Sequence, residues 1–296
     1  MPFIMKKLFA AKKEKAFLHL IRELEYTQKE AQRLIAKGRL LVDSTPMVKT
    51  AGCVEGEFEL IVFEPQSKGL EPVFTAPDFV LFDKPSGVLI HPQNRYTPYS
   101  LIDEIKSQFG RDANITHRID QETSGLVLCA RNKESERILK MKFQEREMKK
   151  SYLALVHGEL KEEIIIEEPL LRQESKSTIV RMVVKVDKEG KASKTTVRPL
   201  YHDKLKNQTL VEALPLTGRQ HQIRVHLDYI GHSIVGDPIY GQKEENIVKF
   251  LDRELSDKER ISLSGDKRLM LHAATLEFAY ENVYYKIKTK DKLFNY

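Results

Sequence analysis

The spacing of apolar and polar side chains predicts two short helices near the start of the chain. Apolar residues recur at helical intervals over residues 16–25. A second helix is expected to begin after Thr27, because a threonine followed three residues later by Glu30 matches a capping box. A glycine then ends this helix, and a strand follows. Partial alternation over residues 57–63 predicts a further strand that closes this first unit.

A polar segment near two prolines and a glycine separates this unit from the rest of the chain. It covers residues 66–73 and predicts a linker between a small domain at residues 1–65 and a large domain at residues 74–296. In the large domain, short strands and helices mix without strict βαβ alternation. The predicted fold class is therefore α+β, with a mixed, mostly antiparallel β-sheet and flanking helices in the large domain, beside a small N-terminal α/β domain.

Two local predictions concern the second half of the chain. Residues 187–191 are expected to form the loop of a hairpin between strands at residues 179–186 and 195–201. A helix is expected to start near Thr217, because apolar residues repeat at helical spacing over residues 223–230 and a glycine follows.

Composition indicates an ordinary soluble globular protein. Of the 296 residues, 41% are hydrophobic and 31% are charged, and no stretch of uncharged apolar residues approaches the length of a membrane span. The start of the chain does not resemble a secretory signal, since it has no adequate apolar region. Cys53 and Cys129 are far apart and form no metal-binding spacing, which suits a reducing cytoplasm. We therefore expect a cytoplasmic, monomeric protein with no membrane contact.

The net charge of +6 is concentrated at the N-terminus. Residues 1–50 contain 11 Lys and Arg against 5 Asp and Glu, so their excess equals that of the whole chain. Such a basic segment is typical of a nucleic-acid-binding surface, although a solvated basic face gives the same pattern. The predicted second helix and the strand after it carry four basic side chains that could make such contacts. These are Lys29, Arg33, Lys37 and Arg39.

The strongest candidate for reaction chemistry is a carboxylate in residues 117–125, whose sequence is HRIDQETSG. Asp120 follows the basic pair His117 and Arg118 and precedes a turn of small residues and the apolar run 126–130. Loops held by a buried scaffold are where many enzymes carry reactive groups. Considered alone, however, Asp120 could equally be a turn residue or a helix cap.

Two further segments contain side chains that could cooperate with this carboxylate. Arg219 and Arg224 lie near the start of the helix predicted after Thr217, where the helix dipole disfavours cations. Their position therefore indicates an anionic partner, either a phosphate or a buried carboxylate, unless they form ordinary surface ion pairs. Tyr152 begins a predicted strand at residues 152–156, where an aromatic side chain by itself is usually part of the core.

In order along the chain, these segments resemble the motifs of the RluA-type pseudouridine synthases. Residues 117–125 are similar to the HRLD-x-x-TSG signature of that family, with Ile119 where leucine is usual. Residues 149–158 are similar to its K-x-Y-x-A-x-V-x-G strand, and residues 218–226 to its GR-x-HQIRVH element. Further similar segments are found at residues 83–92, 231–241 and 271–278. The resemblance therefore extends over residues 74–280.

The resemblance implies an RNA-modifying isomerase that needs neither a cofactor nor a metal. Asp120 would be its catalytic carboxylate and would act on the ribose as nucleophile or as base. Arg224 would pair with Asp120 and keep it ionised, and Tyr152 would stack on the target uracil. The target base would have to be flipped out of its stack, and Arg118 would fill the space it leaves. The remaining expected substrate contacts are His117 and Arg219.

Residues 11–65 resemble the alpha-L RNA-binding motif, first known from a ribosomal small-subunit protein. The resemblance is carried by the order helix, turn, basic helix, glycine and strand, although the usual Val-Asn-Gly turn is here Val42-Asp43-Ser44. It implies that the four basic residues of the second helix and the following strand bind RNA.

Several interpretations of the function stay open. Large-subunit ribosomal RNA is the expected target by family analogy, and tRNA is the alternative. The chain could also be a non-catalytic RNA-binding protein, but a decayed enzyme would be expected to lose Asp120, Arg224 or Tyr152. No metal site is expected, because His221 and His226 are five residues apart and lack the spacing of a helical zinc pair.

Overall fold

A computed structural model describes residues 2–172 and 183–290 of the chain. The N-terminal part contains four strands and two helices. They are β1 (Phe3–Lys15), α1 (Ala16–Leu24), α2 (Gln28–Ala36), β2 (Leu40–Val42), β3 (Thr45–Met47) and β4 (Cys53–Phe63). The strands form one sheet in the order β1-β4-β2-β3. Both helices pack on the sheet, because Leu20 of α1 and Ile35 of α2 share a core cluster with Phe58 and Leu60 of β4.

The two predicted N-terminal helices are confirmed, whereas the first strand is not predicted by the sequence pattern. The side chain of Thr27 accepts the backbone N–H of Glu30 at 3.3 Å, and the carboxylate of Glu30 accepts the backbone N–H of Thr27 at 2.9 Å. The capping box is therefore present as expected. Among the described strands, β1 is an edge strand that pairs with β4 alone, and its many lysines obscure the alternation that would reveal a strand.

The segment predicted as a linker is hydrogen-bonded to α3 (Leu101–Phe109), the first helix of the second part of the chain. The backbone N–H of Lys68 donates to the carboxylate of Glu104, and the side-chain amide of Gln108 donates to the carbonyl of Leu70 at 2.9 Å. Phe63, at the end of β4, packs against the same core cluster as α3. These contacts attach the start of the second part of the chain to the end of the first.

The second part of the chain is built on a ten-stranded sheet with flanking helices. Its elements are β5 (Pro72–Thr75), β6 (Phe79–Lys84), α3, β7 (Asn114–Ile115), β8 (Ser124–Ala130), α4 (Lys133–Gln144), β9 (Lys149–His157), β10 (Ile164–Ile166), β11 (Leu170–Arg172), β12 (Val184–Val186), β13 (Thr195–Asp203), β14 (Gln208–Pro215), α5 (Gln222–Tyr229), α6 (Glu244–Leu251), α7 (Asp257–Ser264), β15 (Leu271–Tyr280) and β16 (Val283–Lys288). The main order is β10-β13-β14-β9-β15-β8-β6-β5, with β16 beside β15 and β7 beside β8. Only the β15–β8 pair is parallel among the described strand pairs of this sheet, so the predicted mixed, mostly antiparallel sheet is confirmed.

The hairpin predicted around residues 187–191 is wrong. β12 pairs with β11 in a separate two-stranded sheet, and β13 pairs with β14. The loop folds back on β11, because Lys191 and Leu170 exchange backbone hydrogen bonds at 2.9 and 3.0 Å. Part of the predicted first strand, residues 179–182, lies outside the described residues.

The start of the helix predicted near Thr217 is also wrong, since α5 begins at Gln222. The hydroxyl of Thr217 and the backbone N–H of Arg219 both donate to the side-chain carbonyl of Gln222, at 2.6 and 3.0 Å. These bonds hold residues 217–221 as a turn. His221 then adopts the left-handed conformation, with φ of 55°, immediately before the helix.

The central strands of the large sheet are buried on both faces. On β8, Leu126 and Leu128 pack into a cluster with α4, whereas Val127 and Cys129 pack into a cluster with α3. Side chains that alternate across a strand thus meet apolar partners on either side. The loop that precedes β8 is therefore attached to a rigid base. Within the described ranges, the helices have 8 to 12 residues, and none has the length and apolar character needed to cross a bilayer.

β8 and β15 come unusually close at Gly125. Its φ is +112°, and a Cβ atom at this position would lie 2.4 Å from the carbonyl oxygen and 2.5 Å from the backbone nitrogen of Ala273. Glycine is required here for two separate reasons, the backbone conformation and the lack of space.

We expect Gly125→Ala to destabilise the protein far more than Gly87→Ala. Gly87 also has a positive φ, of +83°, but no atom lies within 4 Å of a Cβ built there. Gly87→Ala should therefore cost about 1–2 kcal/mol of unfolding free energy for the left-handed backbone alone. Gly125→Ala should cost about 1–3 kcal/mol more, because the methyl group overlaps the backbone of β15. Urea denaturation of both variants measures the difference, and equal midpoints would contradict the close approach.

Candidate active site

Asp120 lies in the loop between β7 and β8, at the wall of a cavity. Its side chain is 21% exposed, while the neighbouring Ile119 is buried. The backbone carbonyl of Asp120 accepts the N–H of Thr123 at 3.2 Å, so the chain turns directly after the carboxylate and enters β8. The carboxylate is thus held at a fixed corner rather than on a loose loop.

A buried lysine, Lys84, stabilises the turn that follows Asp120. Lys84, at the end of β6, is fully buried and donates to three backbone carbonyls, including that of Gln121 at 2.9 Å. The same Gln121 carbonyl accepts the backbone N–H of Gly87 at 2.9 Å, and the hydroxyl of Ser86 donates to the carbonyl of Glu122 at 2.6 Å. The turn after β6 therefore fixes the two residues that follow Asp120.

Arg224 is buried on α5 and is shared between two carboxylates. Its Nε and Nη2 atoms donate to Asp237 at 2.7 Å each, and its Nη1 atom lies 3.5 Å from Oδ2 of Asp120. The predicted approach of Arg224 to Asp120 is present, but its bidentate partner is Asp237, which sequence analysis did not identify. Burial by itself lowers the pKa of Arg224, but the charge and hydrogen bonds of Asp237 together with the charge of Asp120 outweigh it, and the net shift is upward. Asp237 also accepts the backbone N–H groups of Ile239 and Tyr240, at 2.9 and 3.0 Å.

His221 is a second buried side chain that faces Asp120 and that sequence analysis did not assign to the site. Its Nε2 atom lies 3.9 Å from Oδ2 of Asp120, and its Nδ1 atom lies 2.8 Å from the hydroxyl of Tyr240. Burial and the charge of Arg224 lower the pKa of His221 to about 4. The imidazole is therefore neutral at neutral pH.

Tyr152 lies on β9 at the boundary between the two main cores of the large sheet. It packs partly against the cluster around α3 and partly against the cluster that contains β13 and β14. Burial and the nearby charge of Asp120 raise the pKa of Tyr152. Its phenol thus remains protonated and offers an uncharged ring beside the carboxylate.

One cavity of about 590 Å³ brings together most of the predicted site residues. Asp120, Tyr152 and Arg224 line it, and so do the expected substrate contacts His117, Arg118 and Arg219. A cavity of this size is within the range of small-ligand sites, roughly 300–1,000 Å³. Among the described residues that line it, Asp120 is the only acid, whereas the lining contains five Arg and Lys side chains.

The three expected substrate contacts in the cavity differ in character. Arg118 is exposed, and no hydrogen bond or ion pair within the described part of the chain engages its guanidinium. Arg219 is exposed as well and donates to the carbonyl of Ala192 at 3.2 Å. His117 is instead part of the wall, because its Nε2 atom accepts the N–H of Leu128 and its ring stacks on Phe143. Burial and the charge of Lys150 lower the pKa of His117 to about 3, so this side chain is not a cation.

The four basic residues expected to bind RNA in the N-terminal part are not among those that line the cavity. Lys29 and Arg33 on α2 and Lys37 directly after it are exposed and four residues apart, and therefore lie on one side of the helix. Burial and the charges of Arg33 and Arg39 lower the pKa of Lys37. Lys29, Arg33 and Lys37 thus form a separate basic surface, the α2 stripe, whereas Arg39 is half-buried and its guanidinium lies over the ring of Phe3. In residues 2–172 and 183–290, no three His, Cys, Asp or Glu side chains converge as a metal site requires.

Comparison with known proteins gives a consistent result. Residues 78–229 match the family model described as RNA pseudouridylate synthase. An uncharacterized RNA pseudouridine synthase of Helicobacter pylori (strain J99) is 39% identical, over 97% of this chain and 95% of that protein. Ribosomal large subunit pseudouridine synthase C of Vibrio parahaemolyticus is 33% identical over 70% of this chain and 61% of its own length.

A solved structure agrees with these sequence matches. The human RNA pseudouridylate synthase domain containing 1 protein superimposes with a TM-score of 0.60 at 28% sequence identity, over 77% of this chain and 86% of that one. All residues that line the cavity except Leu271 lie in the part of the chain that the family model matches. The chain belongs to the RluA-type family of RNA pseudouridine synthases, as the motif resemblance implied.

Proposed function

We propose that Asp120 is the catalytic carboxylate of this pseudouridine synthase and that the substrate is a specific uridine in a structured RNA. The observation that carries the proposal is the lining of the cavity, where one carboxylate is surrounded by basic side chains. A polyanionic substrate requires such a basic lining. The isomerisation requires one group that can act on the ribose, and Asp120 is held where a substrate in the cavity would meet it.

The reaction defines what the site has to do. The bond between the ribose C1′ and the uracil N1 breaks, the base rotates, and a bond between C1′ and C5 forms. The proton on C5 is lost and N1 gains one, so product and substrate have the same atoms. A carboxylate can assist the first step as nucleophile or as base. Because the isomerisation neither transfers a group from a donor nor changes the oxidation state, the proposal includes no cofactor.

Arg224 and Tyr152 complete the proposed catalytic group. Arg224 presents the Nη1 side of its guanidinium to Asp120 at 3.5 Å, and the attraction between the two charges favours one orientation of the carboxylate. Tyr152 offers an uncharged aromatic face on which the uracil can stack, an interaction worth about 1–3 kcal/mol per base. The base reaches this site only after it has left its stack, and the exposed Arg118 is placed to contact the RNA that remains outside.

The target RNA is part of the proposal. We propose residues 1–65 as an RNA-binding module of the alpha-L type, because the α2 stripe combines exposed cations on one side of a helix that follows a turn. Large-subunit ribosomal RNA is the first candidate, since the Vibrio parahaemolyticus relative is named for that substrate. The alternative is the same chemistry on tRNA. We place the reaction in the cytoplasm and propose that the protein acts as a monomer.

Asp120→Asn is expected to abolish pseudouridine formation while RNA affinity changes less than about threefold. The amide has nearly the shape of the carboxylate but cannot act as nucleophile or base, whereas the basic lining is retained. Pseudouridine mapping in RNA from a deletion strain identifies the target, and turnover on a transcript of that RNA measures the effect. An Asp120→Asn enzyme with near wild-type turnover would refute the mechanism. RNA binding without turnover by the wild-type enzyme would favour the non-catalytic interpretation.

We expect combined replacement of Lys29, Arg33 and Lys37 by glutamine to weaken RNA binding and its salt dependence. Each lost phosphate contact should reduce the magnitude of the negative slope of log K against log salt by about 0.7–0.9, so three contacts should reduce it by about 2–3. Filter binding of the target RNA at several salt concentrations measures this slope. Turnover at saturating RNA should be retained, because the α2 stripe lies outside the cavity.

A variant of equal charge provides the control for this experiment. Lys188, Lys204 and Lys258 are exposed lysines of the large domain, and their joint replacement by glutamine removes the same three charges. This control should leave the salt slope close to that of the wild type. Equal slopes for the two triple variants would show that only net charge matters and would contradict a specific role of the α2 stripe.

A further inference from the structure

We propose that His221 is a positioning residue for Asp120: Tyr240 fixes its neutral tautomer, and the ring presents its Nε2–H group to Oδ2 of the carboxylate. This inference rests on the proposed role of Asp120. It assigns a function to His221 and to Tyr240, two buried residues outside the catalytic group of Asp120, Arg224 and Tyr152.

The tautomer follows from the hydrogen bonds of Tyr240. Its hydroxyl oxygen accepts the backbone N–H of Val184 at 3.1 Å and lies 2.8 Å from Nδ1 of His221. Burial raises the pKa of Tyr240, so the hydroxyl keeps its proton and has to donate it. The neighbour positioned to accept it is Nδ1 of His221. Since a neutral imidazole has a single N–H group, its proton must then be on Nε2.

The protonated Nε2 atom is directed at the reactive carboxylate. Nε2 of His221 and Nη1 of Arg224 lie 3.9 and 3.5 Å from the same Oδ2 atom of Asp120. Among the hydrogen bonds of the described residues, none reaches Oδ1 of Asp120. Two donors therefore face one oxygen, and the other oxygen stays available for the ribose. Both distances exceed that of a direct hydrogen bond, and catalytic contacts of this kind commonly shorten when substrate binds.

The backbone of His221 supports a functional role. His221 has a φ of 55° and no side-chain capping bond to α5, so its left-handed conformation is not required to cap the helix. Such a conformation is unfavourable for a residue with a Cβ atom and persists where the surroundings impose it. Here it directs the ring between Tyr240 and Asp120, which are contacted by opposite nitrogens of the same imidazole.

Two substitutions at His221 separate positioning from packing. Asn tolerates the left-handed conformation, and its short amide can replace the contact to Tyr240 but does not extend to Asp120. Gln has the reach to donate to Asp120. We expect His221→Asn to lower kcat by about 10- to 100-fold, the range of a hydrogen bond to a charged group, with KM changed less than about threefold. His221→Gln should recover part of this loss. The assay uses the mapped target RNA as an unmodified transcript.

The tautomer is tested without any turnover. In full-length protein labelled with 15N-histidine, long-range 1H–15N spectra distinguish protonated from unprotonated ring nitrogens, and the His221 signals are those absent from His221→Asn. We expect a protonated Nε2 and an unprotonated Nδ1 in the wild type. In Tyr240→Phe, which lacks the donated proton, we expect a mixture of tautomers and a reduced kcat.

The outcomes distinguish this inference from the proposed function. A protonated Nδ1 in the wild type would overturn the inference, and so would wild-type kcat in a folded His221→Asn variant. Failure of the proposed function would appear instead as a wild-type enzyme that forms no pseudouridine in any RNA tested. In that case the NMR spectrum still decides which nitrogen of His221 carries the proton.

Discussion

The site depends on the buried ion pair between Arg224 and Asp237. A guanidinium removed from water is costly unless its charge is compensated, and here a fully buried carboxylate compensates it with two hydrogen bonds of 2.7 Å. Because Asp237 binds one edge of the guanidinium, the Nη1 atom remains available to Asp120. The same carboxylate accepts the backbone N–H of Tyr240 and thereby places the hydroxyl that contacts His221. A single aspartate behind the cavity thus orients both groups that face Asp120.

On the side of the cavity that carries Asp120, contacts with the backbone hold the site in place. The loop with Asp120 leads into β8, which is buried on both faces, and Lys84 ties the residues after Asp120 to the end of β6. α5 supplies Arg224 and the turn before it supplies His221. Asp120 and the two side chains that face it therefore come from segments that pack on different cores of one sheet, with Tyr152 packed where the two cores meet. This arrangement restricts relative movement of the groups before substrate arrives.

How much the sequence predicts depends on whether the determining contacts are local. The capping box of Thr27 and Glu30 spans four residues and was predictable, as were the α+β class and the residues of the motifs. The start of α5 was not, because the side chain of Gln222 closes the preceding turn from inside the helix. The prediction of a hairpin at residues 187–191 was wrong because β12 forms its backbone hydrogen bonds with β11, a strand outside the predicted hairpin. Asp237 and Tyr240 occur in a motif segment, but only the fold shows which side chains they contact.

The composition of the cavity lining has a consequence for product release. In the proposed function, the exposed basic side chains of the lining hold RNA through its phosphates, and isomerisation leaves every phosphate and the total charge unchanged. The basic lining therefore holds product as tightly as substrate and cannot by itself drive turnover. The free energy for release then has to come from the RNA, which regains stacking when the modified base returns to its helix or loop. The rate at which the RNA refolds around the new nucleoside then becomes part of the catalytic cycle.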